Sequence, residues 1–164
     1  MIINLNTEDP RWAALQLEQI STEALTATLT HLNLDAENAE ISVLACNDAK
    51  ITQLNTDFRD KPSATNVLSW PANNLMANAP GARPDPPKPD LTGDMPLGDI
   101  AIAWETCHRE AHQADKEITD HVTHLLVHAA LHLLGYDHIR DPDATLMMKN
   151  EVEILGKLGI SNPY

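Results

Sequence analysis

From Lys116 to Leu134 the chain is apolar on nearly every side of a helical projection, and such a helix has to be enclosed by the rest of the fold. Along it His121, His124, His128 and His132 recur at steps of three, four and four, a polar stripe on an otherwise apolar rod. The stripe leads into H-A-A-L-H-L-L-G-Y-D-H, residues 128–138. His128 and His132, four apart, project from one face. Gly135 suits the left-handed conformation that ends a helix, and the resulting turn brings His138 round to face the other two.

Three neutral imidazoles converging on one point, with a fourth position open, form the ligand set of a catalytic zinc ion. A structural zinc module would close its site with four protein ligands. One Zn2+ per chain is therefore expected, held by His128, His132 and His138. Three imidazoles also suit nickel or copper, so the spacing leaves the identity of the metal open. A single histidine on an apolar helix is most often a core residue satisfied by a neighbour. Three of the chain's eight histidines, with a glycine at the turn, share a physical job only as a ligand cluster.

Two groups of proteins carry related spacings. Metzincin-type zinc proteases have H-E-x-x-H-x-x-G-x-x-H, and the histidines and glycine match. Ala129 stands where those proteases place the glutamate general base, whose loss typically slows a reaction by about 10²–10⁴-fold. The stretch V-H-A-A-L-H-L-L-G-Y-D-H is closer to the signature of the YbeY family of bacterial endoribonucleases, which the whole chain resembles. Asn55, Phe58, Arg59 and Lys61 are similar to that family's N-x-x-F-R-x-K, and Thr65 to Pro71 to its T-D-V-L-S-F-P. Leu97-Gly98-Asp99-Ile100 matches its L-G-D-I strand, and Asn162-Pro163-Tyr164 is similar to the tails of some members. Three positions depart from the pattern: Ala129 for glycine, Asn66 for aspartate, and Trp70 for phenylalanine. Asn66 removes a negative charge near the site.

The resemblance implies a zinc-dependent endoribonuclease that cuts single-stranded RNA. It further implies work on the 3′ end of small-subunit rRNA and in ribosome quality control, with the small ribosomal subunit, its proteins or an associated GTPase as partners. A zinc-bound water has its pKa drawn down to about 7, and the ion can also neutralise charge that builds on phosphoryl oxygens. Arg59, on the F-R-x-K motif, is the candidate catalytic residue, because a guanidinium fork matches two phosphate oxygens and stays charged. Lys61 reads as a solvated lysine beside it. Asp137 is either an acceptor orienting a ligand imidazole or a cap on the turn. His124, one turn before His128, is a supporting residue that hydrogen-bonds near the site or a buried structural histidine. Met147 and Met148, inside the last helix, are expected in the core. Two other classes stay open: a metzincin-like hydrolase of another substrate, and a non-catalytic ribosome assembly factor whose zinc braces the fold.

Composition limits the rest. A chain of 164 residues with 43% hydrophobic content buries a genuine core as one domain, 1–164. No apolar run approaches the ~20 residues of a membrane span. The start, MIINLNTEDP, lacks the basic and apolar segments of a secretory signal, so a cytoplasmic protein is expected. Cys46 and Cys107, far apart and without C-x-x-C spacing, read as buried free thiols. The net charge of −13 runs against RNA binding, which would have to depend on a local positive cleft.

Along the chain, Ile2 to Asn6 reads as an edge strand, and Arg11 to Leu32 as one helix. Glu40 to Cys46 is a strand, and Asn47 or Asp48 caps a helix that ends near Arg59-Asp60-Lys61-Pro62. Asn66 to Trp70 and Leu97 to Ala103 are strands. Between them residues 77–96 form a proline-rich loop, expected to be extended and mobile, with Arg83 and Lys88 available to phosphate. Helices follow over Glu105 to His112, Lys116 to Leu134, and Asp141 to about Leu158. That order predicts an α+β fold: a small mixed four-strand sheet packed with helices, the three-histidine site lying on a buried helix and the turn after it.

Overall fold

The computed structural model describes residues 1–164. Four strands, β1 (Ile2–Thr7), β2 (Ala39–Cys46), β3 (Val67–Pro71) and β4 (Met95–Ala103), form one sheet in the order β1-β2-β4-β3. β1–β2 and β2–β4 are parallel, and β3–β4 is antiparallel. Five helices complete the fold: α1 (Leu17–His31), α2 (Asp48–Arg59), α3 (Trp104–Gln113), α4 (Ile118–Leu133) and α5 (Asp141–Lys157).

The strands follow from their side-chain alternation. In β2, Ala39, Ile41, Val43 and Ala45 are buried while Glu40, Ser42 and Leu44 face a less covered side. The buried set joins Ile100 and Ile102 of β4, Leu25 and Leu29 of α1, and Leu131 of α4 in one main core. α4 packs between α1 and β3 and touches α5 as well. This accounts for its apolar surroundings, with Val122, Leu126, Val127, Leu131 and Leu133 all buried. A smaller core of Cys46, Ile51, Leu68, Ala101 and Ala103 lies under α2.

Caps set several boundaries. Asn47 accepts from the Lys50 backbone N–H at 2.8 Å, an N-cap of the kind that contributes about 0.5–2 kcal/mol. α2 stops at Asp60, whose φ of 55° is left-handed, in the turn expected around Lys61-Pro62.

Three expectations need correction. The single helix from Arg11 to Leu32 is two elements, a short 3-10 turn over Pro10–Ala14 and then α1, with Leu15 extended between them. Asp9 caps the turn by accepting from the Arg11 N–H at 2.9 Å. Trp12 is drawn inward, donating its indole N–H to the Cys46 carbonyl at 2.9 Å. Met147 is in the core as expected, but Met148 is 45% exposed, because consecutive helical residues point about 100° apart. The proline-rich loop is extended, and its first half is tied down rather than free. Arg140 donates to the carbonyls of Ala77 and Asn78, and Asp143 accepts from the Gly81 N–H at 2.8 Å.

Candidate metal centre

α4 ends in a Schellman turn: the Tyr136 N–H donates to the Leu131 carbonyl and the Gly135 N–H to the His132 carbonyl, each at 3.0 Å. Gly135 has φ +96°, and a Cβ there would lie 2.7 Å from the carbonyl carbon of Leu75. Only glycine lets the chain reverse against that backbone. The reversal carries His138 back over the helix end, while Asp137 fastens the turn by accepting from the His138 N–H at 2.7 Å. Of the two roles open to Asp137, its hydrogen bond is the turn cap. His128, His132 and His138 then each offer a ring nitrogen within 4.8 Å of the others.

Hydrogen bonds place the Nδ1 hydrogen of two of these histidines. His132 Nδ1 lies 3.0 Å from the Tyr136 carbonyl, which can only accept, so Nδ1 carries the hydrogen. His128 Nδ1 lies 3.2 Å from Oε2 of Glu151, an ionised carboxylate, and donates likewise. With Nδ1 donating in each, both rings turn Nε2 inward, and the two Nε2 atoms are 3.1 Å apart. Facing lone pairs repel unless a cation lies between them. Burial first, and then His128 and His138, push the pKa of His132 down to about 4, which disfavours a proton on its own Nε2. A divalent metal ion fits this donor set, and no fourth His, Cys, Asp or Glu joins the group. Three protein ligands would leave coordination open to water or substrate, the arrangement of a catalytic rather than a structural zinc site.

A second layer of polar groups lies behind the histidines. His124 Nε2 bonds to Oε1 of Glu151, and Glu151 is only 1% exposed. Burial alone would raise the Glu151 carboxyl, but its hydrogen bonds with His124 and His128 and their charge bring it down to about 2. Tyr164 packs edge-on against His124, ring centroids 5.9 Å apart. Burial first, then the charge and hydrogen bonding of Glu151, hold its phenol above the ordinary range. Further along the stripe, His121 Nε2 lies 3.0 Å from Oε1 of Glu110, and Asn66 donates Nδ2 to the same oxygen at 3.0 Å. The amide at position 66 thus pairs with a carboxylate that an aspartate would have repelled.

Glu151 and Glu110 were not singled out from the sequence. For Glu151 a signal existed: Asp143, Met147, Glu151, Ile154 and Leu155 form the buried stripe of α5, so an acid on that stripe must meet polar partners.

The histidines open into a cleft of about 1020 Å³, also lined by Arg59, Lys61, Asn66, His124, Asp137 and Tyr164. Arg59, in the last turn of α2, donates Nη2 to the Ser69 carbonyl at 2.9 Å. Lys61 is exposed at the same rim. Arg83 and Lys88 do not line the cleft. Arg83 instead donates to the Leu32 carbonyl at 2.6 Å, so its guanidinium serves to anchor the loop on the end of α1.

A mixed four-strand sheet carrying a three-histidine cluster at the end of a buried helix defines a class of α+β protein with a candidate metal centre. A family model described as Endoribonuclease YbeY matches residues 2–159, and the chain belongs to that family. A relative from Ruegeria pomeroyi, named Endoribonuclease YbeY, is 60% identical over 164 residues, covering 100% of this chain and 98% of its own. One of the same name from Bartonella bacilliformis is 42% identical over 163 residues, covering 99% and 96%. The solution structure of a protein from Thermotoga maritima superposes with a TM-score of 0.55 at 17% identity, over 96% of this chain and 91% of that one. At that identity the likeness speaks for the fold alone.

Proposed function

We propose that this chain is a zinc-dependent endoribonuclease that cuts single-stranded RNA. On this reading it acts in the cytoplasm on the 3′ end of small-subunit rRNA and in ribosome quality control, alongside small-subunit proteins or an associated GTPase. Membership in the YbeY family supports the activity class. The observation that carries the reading is that three inward imidazoles and one arginine share a single cleft.

His128, His132 and His138 would hold the ion, which when bound supplies Lewis acidity toward phosphoryl oxygen and water. The protein's own groups do the rest. Arg59, steadied by Ser69, presents its remaining N–H groups to the non-bridging oxygens of a phosphodiester, where negative charge grows during cleavage. Lys61 adds a second positive charge at the rim. In a chain of net charge −13, these two cations favour anion binding at the cleft, while the excess of acidic groups weakens it elsewhere. Ala129, buried at 1% exposure, provides no proton acceptor where metzincin proteases have glutamate, which weighs against peptide hydrolysis.

The test is cleavage of an unstructured RNA by zinc-loaded protein beside a folded His132→Ala variant. Cleavage by the first alone supports a metal-centred ribonuclease. Absence of cleavage in both, on free RNA and on small ribosomal subunits alike, would favour an assembly factor whose metal braces the fold.

A further inference from the structure

We infer that Glu151 is a positioning residue for the metal centre, fixing the tautomer and direction of His128 from the neighbouring helix. The inference rests on the reading of His128, His132 and His138 as ligands. Glu151 sits on the buried stripe of α5 beside Met147, Ile154 and Leu155, where packing onto α4 calls only for an apolar side chain. Taking a carboxylate out of water is costly unless it is fully hydrogen-bonded. Here both oxygens are used, Oε2 on His128 Nδ1 at 3.2 Å and Oε1 on His124 Nε2.

That arrangement has one effect on the cluster. With Nδ1 of His128 committed to Glu151, its Nε2 must carry the lone pair, aimed at the point shared with His132. His132 gets the same service from the Tyr136 carbonyl, a main-chain group that no substitution removes. Glu151 is therefore a side chain through which the orientation of His128 can be altered without touching the ligands. It does not line the cleft, so it acts through His128 and not on substrate. His124 takes up the second oxygen, and Tyr164 closes over it.

The experiment compares wild type, Glu151→Gln, Glu151→Ala and Asp143→Asn as full-length proteins. Asp143 is another buried acid of α5, and neither it nor its partners, Gly81 and Arg140, line the cleft. Zn2+ affinity is measured by chelator competition, the centre is read by the visible spectrum of the Co2+-substituted protein, and folding by circular dichroism of the metal-free proteins.

The expected result is affinity weakened by about 10-fold in Glu151→Gln and up to about 100-fold in Glu151→Ala, with an altered Co2+ spectrum. Asp143→Asn should melt earlier and yet bind as wild type does. If Glu151→Ala does not fold, the isosteric Gln variant decides. Wild-type affinity and spectrum in Glu151→Gln would overturn the inference, and so would equal weakening in Asp143→Asn, which marks general destabilisation. A wild type that takes up no metal would instead overturn the ligand reading itself.

Discussion

Arg59 reaches from the last turn of α2 to the Ser69 carbonyl on β3, 2.9 Å away, and so stands over the cleft as a fixed fork rather than a free surface arginine. One N–H group is spent on the main chain, and the others are left for an anion. Arg59→Ala should bind metal as wild type does and cleave RNA roughly 10–100-fold more slowly, the value of a charge-assisted hydrogen bond or two. Arg59→Lys should fall between, since an ammonium supplies charge without the fork. Metal titration and single-turnover cleavage on the same preparations check both. Full activity in Arg59→Ala would remove this residue from the mechanism.

His132 is held from behind by Tyr136 and faces His128 across 3.1 Å. His132→Ala should lose high-affinity metal uptake and reduce cleavage by at least about 10²-fold, with a helical spectrum unchanged from wild type. Equilibrium dialysis and circular dichroism separate this from a bracing role. In that case metal binding energy is folding energy, and the variant would unfold.

Gly98 places its backbone against β3: φ is +139°, and a Cβ would lie 2.1 Å from the Trp70 carbonyl oxygen. Gly98→Ala is expected to force β4 away from β3 and to destabilise the protein by about 3 kcal/mol or more. Chemical denaturation of the two proteins side by side gives the value. An alanine variant as stable as wild type would show that the strand pair can shift without loss.

Burial raises the thiols of Cys46 and Cys107 to about 12 each. Both should resist alkylation at pH 8 in the native protein and react promptly once it is denatured. Because the folded-state values lie above the ordinary 9.0, the unfolded chain releases these protons first as pH rises. Their contribution to stability is therefore whole below about pH 9 and is lost between about pH 9 and 12. A pH series of urea midpoints measures it.

The three histidines were legible because local geometry places them: an i, i+4 pair and a glycine turn lie within eleven consecutive residues, 128–138. Sheet and helices were readable for the same reason, from alternation in β2 and from the apolar circumference of α4. Glu151 was harder to find: its place on the apolar stripe of α5 sets it apart from the exposed Glu153, but its partner His128 lies 23 residues away on another helix. The anchoring of the proline-rich loop was hidden too. Arg83 and Arg140 hold it through main-chain carbonyls, which carry no residue identity. Trp12 broke the first helix by a similar route, its indole drawn to the carbonyl of Cys46.

The strand order β1-β2-β4-β3 has a consequence for a chain made from its N-terminus. β1 and β2 can pair as soon as both have been synthesised, but β3 borders only β4 and must wait, unpartnered, until residue 103 has followed it. α4, which lies against β3, comes later still, and the turn bearing His138 after that. A nascent chain halted before residue 138 can therefore hold much of the scaffold and none of the finished cluster, so metal uptake should mark the close of folding and not its beginning.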